Sequence, residues 1–209
     1  MKVAVIDYNM GNLASVMQGL KEAGLEPVLT RGREMILSAQ AVVLPGVGAF
    51  AKGMENLEKY RLISTIYEVC ERGTPFLGIC LGMQLLFEES EEHGLQQGLG
   101  LMQGRIVRFP PGQKVPHMGW NTLKVRDPHP YLKGIPSGSY VYFVHSYYAT
   151  ECDFRNIMAT TNYGVEFPAM VCLNNIVGVQ FHPEKSNRVG LKLLKNFGEM
   201  VRDGGYTGY

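Results

Sequence analysis

The chain has 209 residues, 45% hydrophobic and 19% charged, a balance that excludes a disordered polyelectrolyte and predicts one compact domain over residues 1–209. Its formal net charge is +1 and its twenty Lys and Arg are scattered, which argues against nucleic acid or a membrane surface as partner. Cys70, Cys80, Cys152 and Cys172 show no C-x-x-C spacing and no apolar run approaches the ~20 residues of a bilayer span, so a cytoplasmic protein without metal or cofactor is expected.

In chain order, Val3 to Ile6 reads as a buried strand ending at Asp7, too short an apolar run for a signal peptide. Leu13, Val16, Met17 and Leu20 then follow at helical spacing up to Gly24. Glu26 to Thr30 is a second strand and Ala41 to Leu44 a third, running into Pro45-Gly46-Val47-Gly48. Phe50 to Arg72 has helical spacing with a break near Tyr60, and Gly73-Thr74-Pro75 stops it before the apolar Phe76-Leu77-Gly78-Ile79. Strands alternating with helices imply parallel pairing.

From about Leu99 the segments are short and β-rich: Arg105 to Phe109, Thr122 to Val125, Tyr140 to Val144, Ile157 to Thr161, Ala169 to Leu173 and Ile176 to Phe181. These predict added antiparallel strands. A last helix follows Ser186-Asn187, with Val189, Leu193, Phe197 and Met200 on one face, a stop at Gly204-Gly205, and frayed residues from Tyr206 to Tyr209.

The strongest local signal is Gly78-Ile79-Cys80-Leu81-Gly82, where a buried strand meets a helix expected to begin near Leu81. It is the cysteine form of the nucleophile elbow: glycines on both sides permit a turn tight enough to push the central side chain above the sheet, on a strained backbone. The helix start beneath favours a thiolate.

Amide cleavage also needs a group to protonate the leaving nitrogen and to deprotonate water. Among His93, His117, His129, His145 and His182, only His182 ends a strand and is followed by Pro183 and Glu184. In an extended chain residues two apart face the same side, so Glu184 can orient the imidazole toward Cys80. Backbone N–H groups at Gly46, Val47 and Gly48, with the N–H of Leu81 after the nucleophile, can form an oxyanion hole. A glycine flanking Val47 would let that peptide flip between donor and non-donor states.

The cysteine elbow and His182-Pro183-Glu184 together resemble the class I (triad) glutamine amidotransferases, and the resemblance runs the full length. Within that family, residues 6–12, 45–50, 115–121, 143–147 and 182–186 look like the glutaminase subunits of imidazole glycerol phosphate synthase. Asn9 departs from the glycine more usual in that family. The resemblance implies a flavodoxin-like, three-layer α/β fold with a central mostly parallel sheet, glutamine as substrate, and a heterodimer with a (β/α)8-barrel synthase that uses the ammonia in histidine biosynthesis.

It also maps glutamine binding onto Gln84, Glu92 and the backbone of Ser146 and Tyr147. Glu88, Glu89, Glu91 and Glu92 read equally as a solvated acidic run. Trp120, placed by its flanking residues in a glycine-containing turn, is either a core anchor or, with Asn12 and Lys185, part of the synthase interface. Three alternatives remain open from sequence: a glutaminase serving another synthase, such as that of anthranilate synthesis; a cysteine-elbow hydrolase or peptidase; and an inactive binding module.

Overall fold

The computed structural model describes residues 1–203; the expected stop at Gly204-Gly205 and the frayed residues from Tyr206 to Tyr209 lie outside the described residues. The first half runs β1 (Lys2–Ile6), α1 (Leu13–Glu22), β2 (Glu26–Thr30), α2 (Arg33–Leu37), β3 (Ala41–Leu44), α3 (Phe50–Lys59), α4 (Ile63–Glu71), β4 (Phe76–Ile79) and α5 (Leu81–Gln84). The second half adds β5 (Phe87–Ser90), β6 (Gln96–Gln97), β7 (Met102–Arg108), β8 (His117–Thr122), β9 (Lys124–Val125), β10 (Tyr140–His145), β11 (Tyr147–Thr150), β12 (Ile157–Asn162), β13 (Glu166–Leu173), β14 (Ile176–Val179) and α6 (Asn187–Arg202).

The main sheet has the order β2-β1-β3-β4-β14-β13-β12-β9. Its first five strands are parallel and its last three antiparallel. Both faces are covered, so the parallel strands carry apolar side chains on both sides. In β1, Val3 and Val5 join the cluster under Val16 and Leu20 of α1 and Leu193 and Phe197 of α6. Ala4 and Ile6 join the opposite cluster with Leu57 of α3 and Ile66 and Val69 of α4. The break foreseen near Tyr60 is real: α3 ends there and Arg61 takes a left-handed φ of 54°.

Four local expectations need correction. The helix after Cys80 is one turn, Leu81–Gln84, with Leu85 as its cap, so the sum of aligned peptide dipoles beneath the thiol is small. Trp120 lies inside β8, paired with Tyr142 of β10, rather than in a turn. The stretch predicted as one strand, Thr122 to Val125, is split between β8 and β9 at the buried Leu123. The acidic run is partly structural: Glu88 accepts from the N–H of Gly104 and Glu91 from that of Arg108, which joins β5 to β7 through side chains as well as backbone.

The parallel strands all end on one rim. The loops after β1, β3, β4 and β14 therefore converge there, where an open α/β sheet presents backbone ends and side chains to a ligand.

Candidate active site

Cys80 follows β4 directly, and its backbone N–H donates to the carbonyl of Val179 at 2.8 Å. Its φ of 54° and ψ of −108° put a non-glycine residue in a strained region. The elbow glycines explain how the turn closes. A Cβ on Gly82 would lie 1.8 Å from the Leu44 carbonyl oxygen, and one on Gly78 would lie 2.8 Å from that of Gly82. Burial pushes the Cys70, Cys152 and Cys172 thiols up to about 12, which disfavours their thiolates.

His182 follows three residues after the end of β14, on the neighbouring strand end. Its Nδ1 bonds Glu184 Oε1 at 2.7 Å, with side chains 3% and 2% exposed. The geometry differs from the extended pair foreseen: Pro183–Lys185 is a 3₁₀ turn, closed by the Lys185 N–H on the His182 carbonyl, and it swings Glu184 back under the ring. Ser186 locks the arrangement, donating through Oγ to the His182 carbonyl at 2.6 Å and accepting from the Tyr142 N–H at 2.9 Å. With Nδ1–H committed to the carboxylate, Nε2 is the nitrogen left for Cys80. It is buried and makes no hydrogen bond of its own. Burial opposes a charged ring, but the Cys80 and Glu184 side chains outweigh it and push His182 up to about 10.

Beside Cys80 lies a cavity of about 250 Å³ lined by Val47, Gly48, Leu81, Gln84, Glu92 and, across from them, Val144, His145, Ser146 and Tyr147. It brings together the elbow, the glycine loop and all four positions foreseen for substrate. A larger groove of about 780 Å³ lies on the far side of Glu184, between α1 and α6, and does not reach Cys80. Gln84 is 6% exposed rather than a surface helix residue, and its amide donates to the Tyr147 carbonyl and to Gln180 Oε1, each at 2.9 Å. Glu92 Oε2 accepts from the Phe50 N–H at 2.7 Å, tying the start of α3 to the cavity wall.

The glycine loop stands in one definite state. The Leu81 N–H donates to the Gly46 carbonyl at 3.3 Å. In a trans peptide C=O and N–H point opposite ways, so the Val47 N–H is turned away from the Leu81 N–H in this arrangement. Tyr8 packs against the same loop: its hydroxyl lies 2.2 Å from where a Cβ on Gly46 would sit, and it is buried without a hydrogen-bond partner. Burial, reinforced by Cys80, raises its phenol. Asn9, where glycine was expected, has φ 62°, the left-handed conformation that glycine supplies and asparagine tolerates.

Behind the cavity, His145 donates from Nδ1 to the Tyr147 carbonyl at 2.8 Å, so its Nε2 accepts from His117 Nδ1 at 3.1 Å, and His117 Nε2 in turn accepts from Asn121 at 3.3 Å. Burial pushes the two rings down to about 3 and about 4, which keeps them neutral. The sequence reading passed over both histidines, and over Gln180 and Ser186. Gln180 carried a signal, since an amide directly after four buried apolar residues of a parallel strand must be buried too.

On the surface, Trp120 is 48% exposed and meets the Tyr142 ring edge-on at 5.9 Å, while Lys185 Nζ lies 6.0 Å from the same ring. Met118 and Tyr140 extend this apolar patch along β8 and β10. Asn12 caps α1, accepting from the Ser15 N–H. Among the described residues no group of His, Cys, Asp or Glu is arranged to hold a metal, and no helix is long and apolar enough to cross a membrane.

Comparison with known proteins gives concordant matches. The glutamine amidotransferase class-I family profile matches residues 4–200. The imidazole glycerol phosphate synthase subunit HisH of Moorella thermoacetica is 51% identical over 99% of this chain and 99% of its own length. That of Geobacter sulfurreducens is 51% identical over 95% of this chain and 99% of its own. A crystal structure of a glutamine amidotransferase superposes with a TM-score of 0.76 at 21% identity, covering 96% of this chain and 98% of that one, a likeness of fold.

Proposed function

Since the chain belongs to the class-I glutamine amidotransferases, we propose that it is the glutaminase subunit of imidazole glycerol phosphate synthase, with Cys80 as nucleophile, His182 as acid and base, and Glu184 as the orienting carboxylate. The observation that carries the reading is a strained cysteine elbow that opens on a 250 Å³ cavity, with a buried His182–Glu184 pair on the neighbouring strand end whose imidazole is shifted by the Cys80 side chain. That cavity suits a small amino acid held at both ends.

The Cys80 sulfur attacks the side-chain amide carbon of glutamine, forming a C–S bond and an oxyanion. His182 delivers a proton to the amide nitrogen as the C–N bond breaks, and ammonia leaves a γ-glutamyl thioester. A water then gives its proton to His182 and its oxygen to the acyl carbon, releasing glutamate and the thiol. Glu184 fixes the tautomer throughout. The Leu81 and Val47 N–H groups, flanked by Gly46 and Gly48, form the oxyanion hole once the Gly46–Val47 peptide turns over. The occupied Leu81 N–H describes the resting state.

The free Gln84 Oε1 and the Glu92 carboxylate receive the α-ammonium of glutamine, and the backbone of Ser146 and Tyr147 receives the α-carboxylate. Ammonia becomes ammonium in bulk water and ceases to be a nucleophile, so a synthase must accept it through a sheltered path. The partner is a (β/α)8-barrel synthase, which forms imidazole glycerol phosphate and aminoimidazole carboxamide ribotide in histidine biosynthesis. It docks on the patch of Trp120, Lys185 and Asn12 to make a heterodimer. The enzyme is cytoplasmic, consistent with its four free thiols.

The test is a glutaminase assay with and without the barrel synthase and its substrate. Glutamate should appear from the wild type when both are present, and its absence under every condition overturns the reading. Cys80→Ala should abolish glutamine-dependent turnover and spare ammonia-dependent synthesis by the partner; loss of both would assign Cys80 a structural role.

A further inference from the structure

Gln180 is an amide with no exposed surface, placed where apolar side chains line both faces of the sheet. Burying an amide costs free energy unless its hydrogen bonds are made, and here both ends are engaged. Oε1 accepts from Gln84 at 2.9 Å, and Nε2 donates to the Cys80 sulfur at 3.8 Å. Strand register puts it there. Val179 pairs with Ile79 across the parallel β14–β4 ladder, so Gln180 and Cys80 are the next residues on adjacent strand ends.

The orientation of this amide follows from its neighbour. Both N–H bonds of Gln84 are given to oxygens, the Tyr147 carbonyl and Gln180 Oε1, so turning Gln84 over would set its oxygen against the Tyr147 carbonyl oxygen, which can only accept. Gln180 must then offer its oxygen to Gln84 and its N–H to Cys80. What Gln84 has left is Oε1, and Gln84 itself lines the cavity.

We propose that Gln180 is a positioning residue for the nucleophile: its amide N–H holds the Cys80 sulfur as an anion acceptor, and Gln84 locks that N–H in place from the substrate cavity. The placement rests on Cys80 being the nucleophile. An N–H facing sulfur favours the thiolate over the thiol, because a donor to an ionised acceptor is worth more than one to a neutral acceptor. That N–H becomes the sulfur's donor contact once the thiol proton, which here points to the Val144 carbonyl at 3.9 Å, has left for His182. Substrate bound through Gln84 and a poised sulfur thus share a single chain of two amides.

The experiment compares wild type with Gln180→Met, which keeps length without a donor, and Gln180→Glu, which keeps the acceptor for Gln84 but sets a carboxylate against the sulfur. The alkylation rate of Cys80 by iodoacetamide is followed against pH by mass spectrometry of its peptide. Relative to wild type the profile should move to higher pH by about half a unit to one unit in Gln180→Met and further in Gln180→Glu. With the synthase partner present, glutaminase kcat should fall about tenfold or more in both while KM changes less than about threefold. Soluble, folded variants with an unshifted alkylation profile overturn the proposal. If neither variant folds, the wild type decides: the assigned Gln180 side-chain amide resonance should titrate with the same midpoint as Cys80 alkylation, and an invariant resonance overturns the proposal. Failure of glutamine hydrolysis in wild type would defeat the glutaminase reading instead, while the alkylation profile would still report on Gln180.

Discussion

At the scale of single residues, the site joins well-satisfied polar groups to a few deliberate exceptions. Glu184 Oε1 has its imidazole, yet Glu184 Oε2, His182 Nε2 and the Tyr8 hydroxyl are buried without partners. The first two belong to the proposed acid–base pair, in which His182 Nε2 is the atom that exchanges protons. Tyr8 is different, because its hydroxyl abuts Gly46 rather than the cavity. Removing a buried, unpaired hydroxyl while keeping the ring should stabilise the fold, so Tyr8→Phe is expected to raise unfolding free energy by about 1 kcal/mol. Urea denaturation of both proteins measures this, and a clear loss of stability would mean that the hydroxyl has a partner in solution. The strained turn at Cys80 and the closeness of His182 and Glu184 were legible from spacing, as such motifs are local. Gln180 was hidden, since its role depends on Gln84, 96 residues away in the chain.

At the scale of elements, β8 and β10 form a two-stranded ribbon apart from the main sheet, and its two faces differ. Inward, His145 lines the cavity and His117 bonds it from behind; outward, Met118, Trp120 and Tyr140 form the apolar patch. This alternation is the period-two signature of a strand, and it was missed because Gly119, at φ 136°, reads as a turn residue. Trp120 contributes little to the fold, being half exposed with one edge-on ring contact. Trp120→Ala should lower monomer stability by no more than about 1 kcal/mol and weaken synthase binding by about tenfold or more, as interface aromatics do. Calorimetric titration beside thermal melts separates the two; a large stability loss with unchanged binding would return Trp120 to the core.

At the scale of the whole molecule, the buried neutral histidines couple the ribbon to pH. Unfolded, His117 and His145 would titrate near 6.5; folded, burial holds them down to about 4 and about 3. Between those values the unfolded chain binds more protons, so stability falls as pH drops from about 6.5, by up to about 1.4 kcal/mol per unit for each ring. His182 acts with opposite sign, since a folded value raised to about 10 favours the native state below 6.5 and loses that contribution as pH climbs toward 10. Unfolding free energy measured from pH 4.5 to 9 should therefore peak near 6.5. A flat profile between 4.5 and 6.5 would show that the histidines are charged or exposed in the native state.

Sequence alone determined the alternation of strands and helices, the parallel half of the sheet, the elbow and the nearness of His182 to Glu184, because periodicity, glycine placement and short separation act within a few residues; the 3₁₀ turn that joins the pair was not foreseen. Tertiary structure decided the rest. Only the meeting of β4, β14 and the ribbon shows that Gln84 is buried rather than solvent-facing, that Glu92 ties a helix start to the cavity, and that Gln180 faces the sulfur. Only the packed loop shows that the Gly46 carbonyl occupies the Leu81 N–H. Each of these depends on a burial or a hydrogen bond between distant segments, whose cost and partners are set when the chain closes on itself.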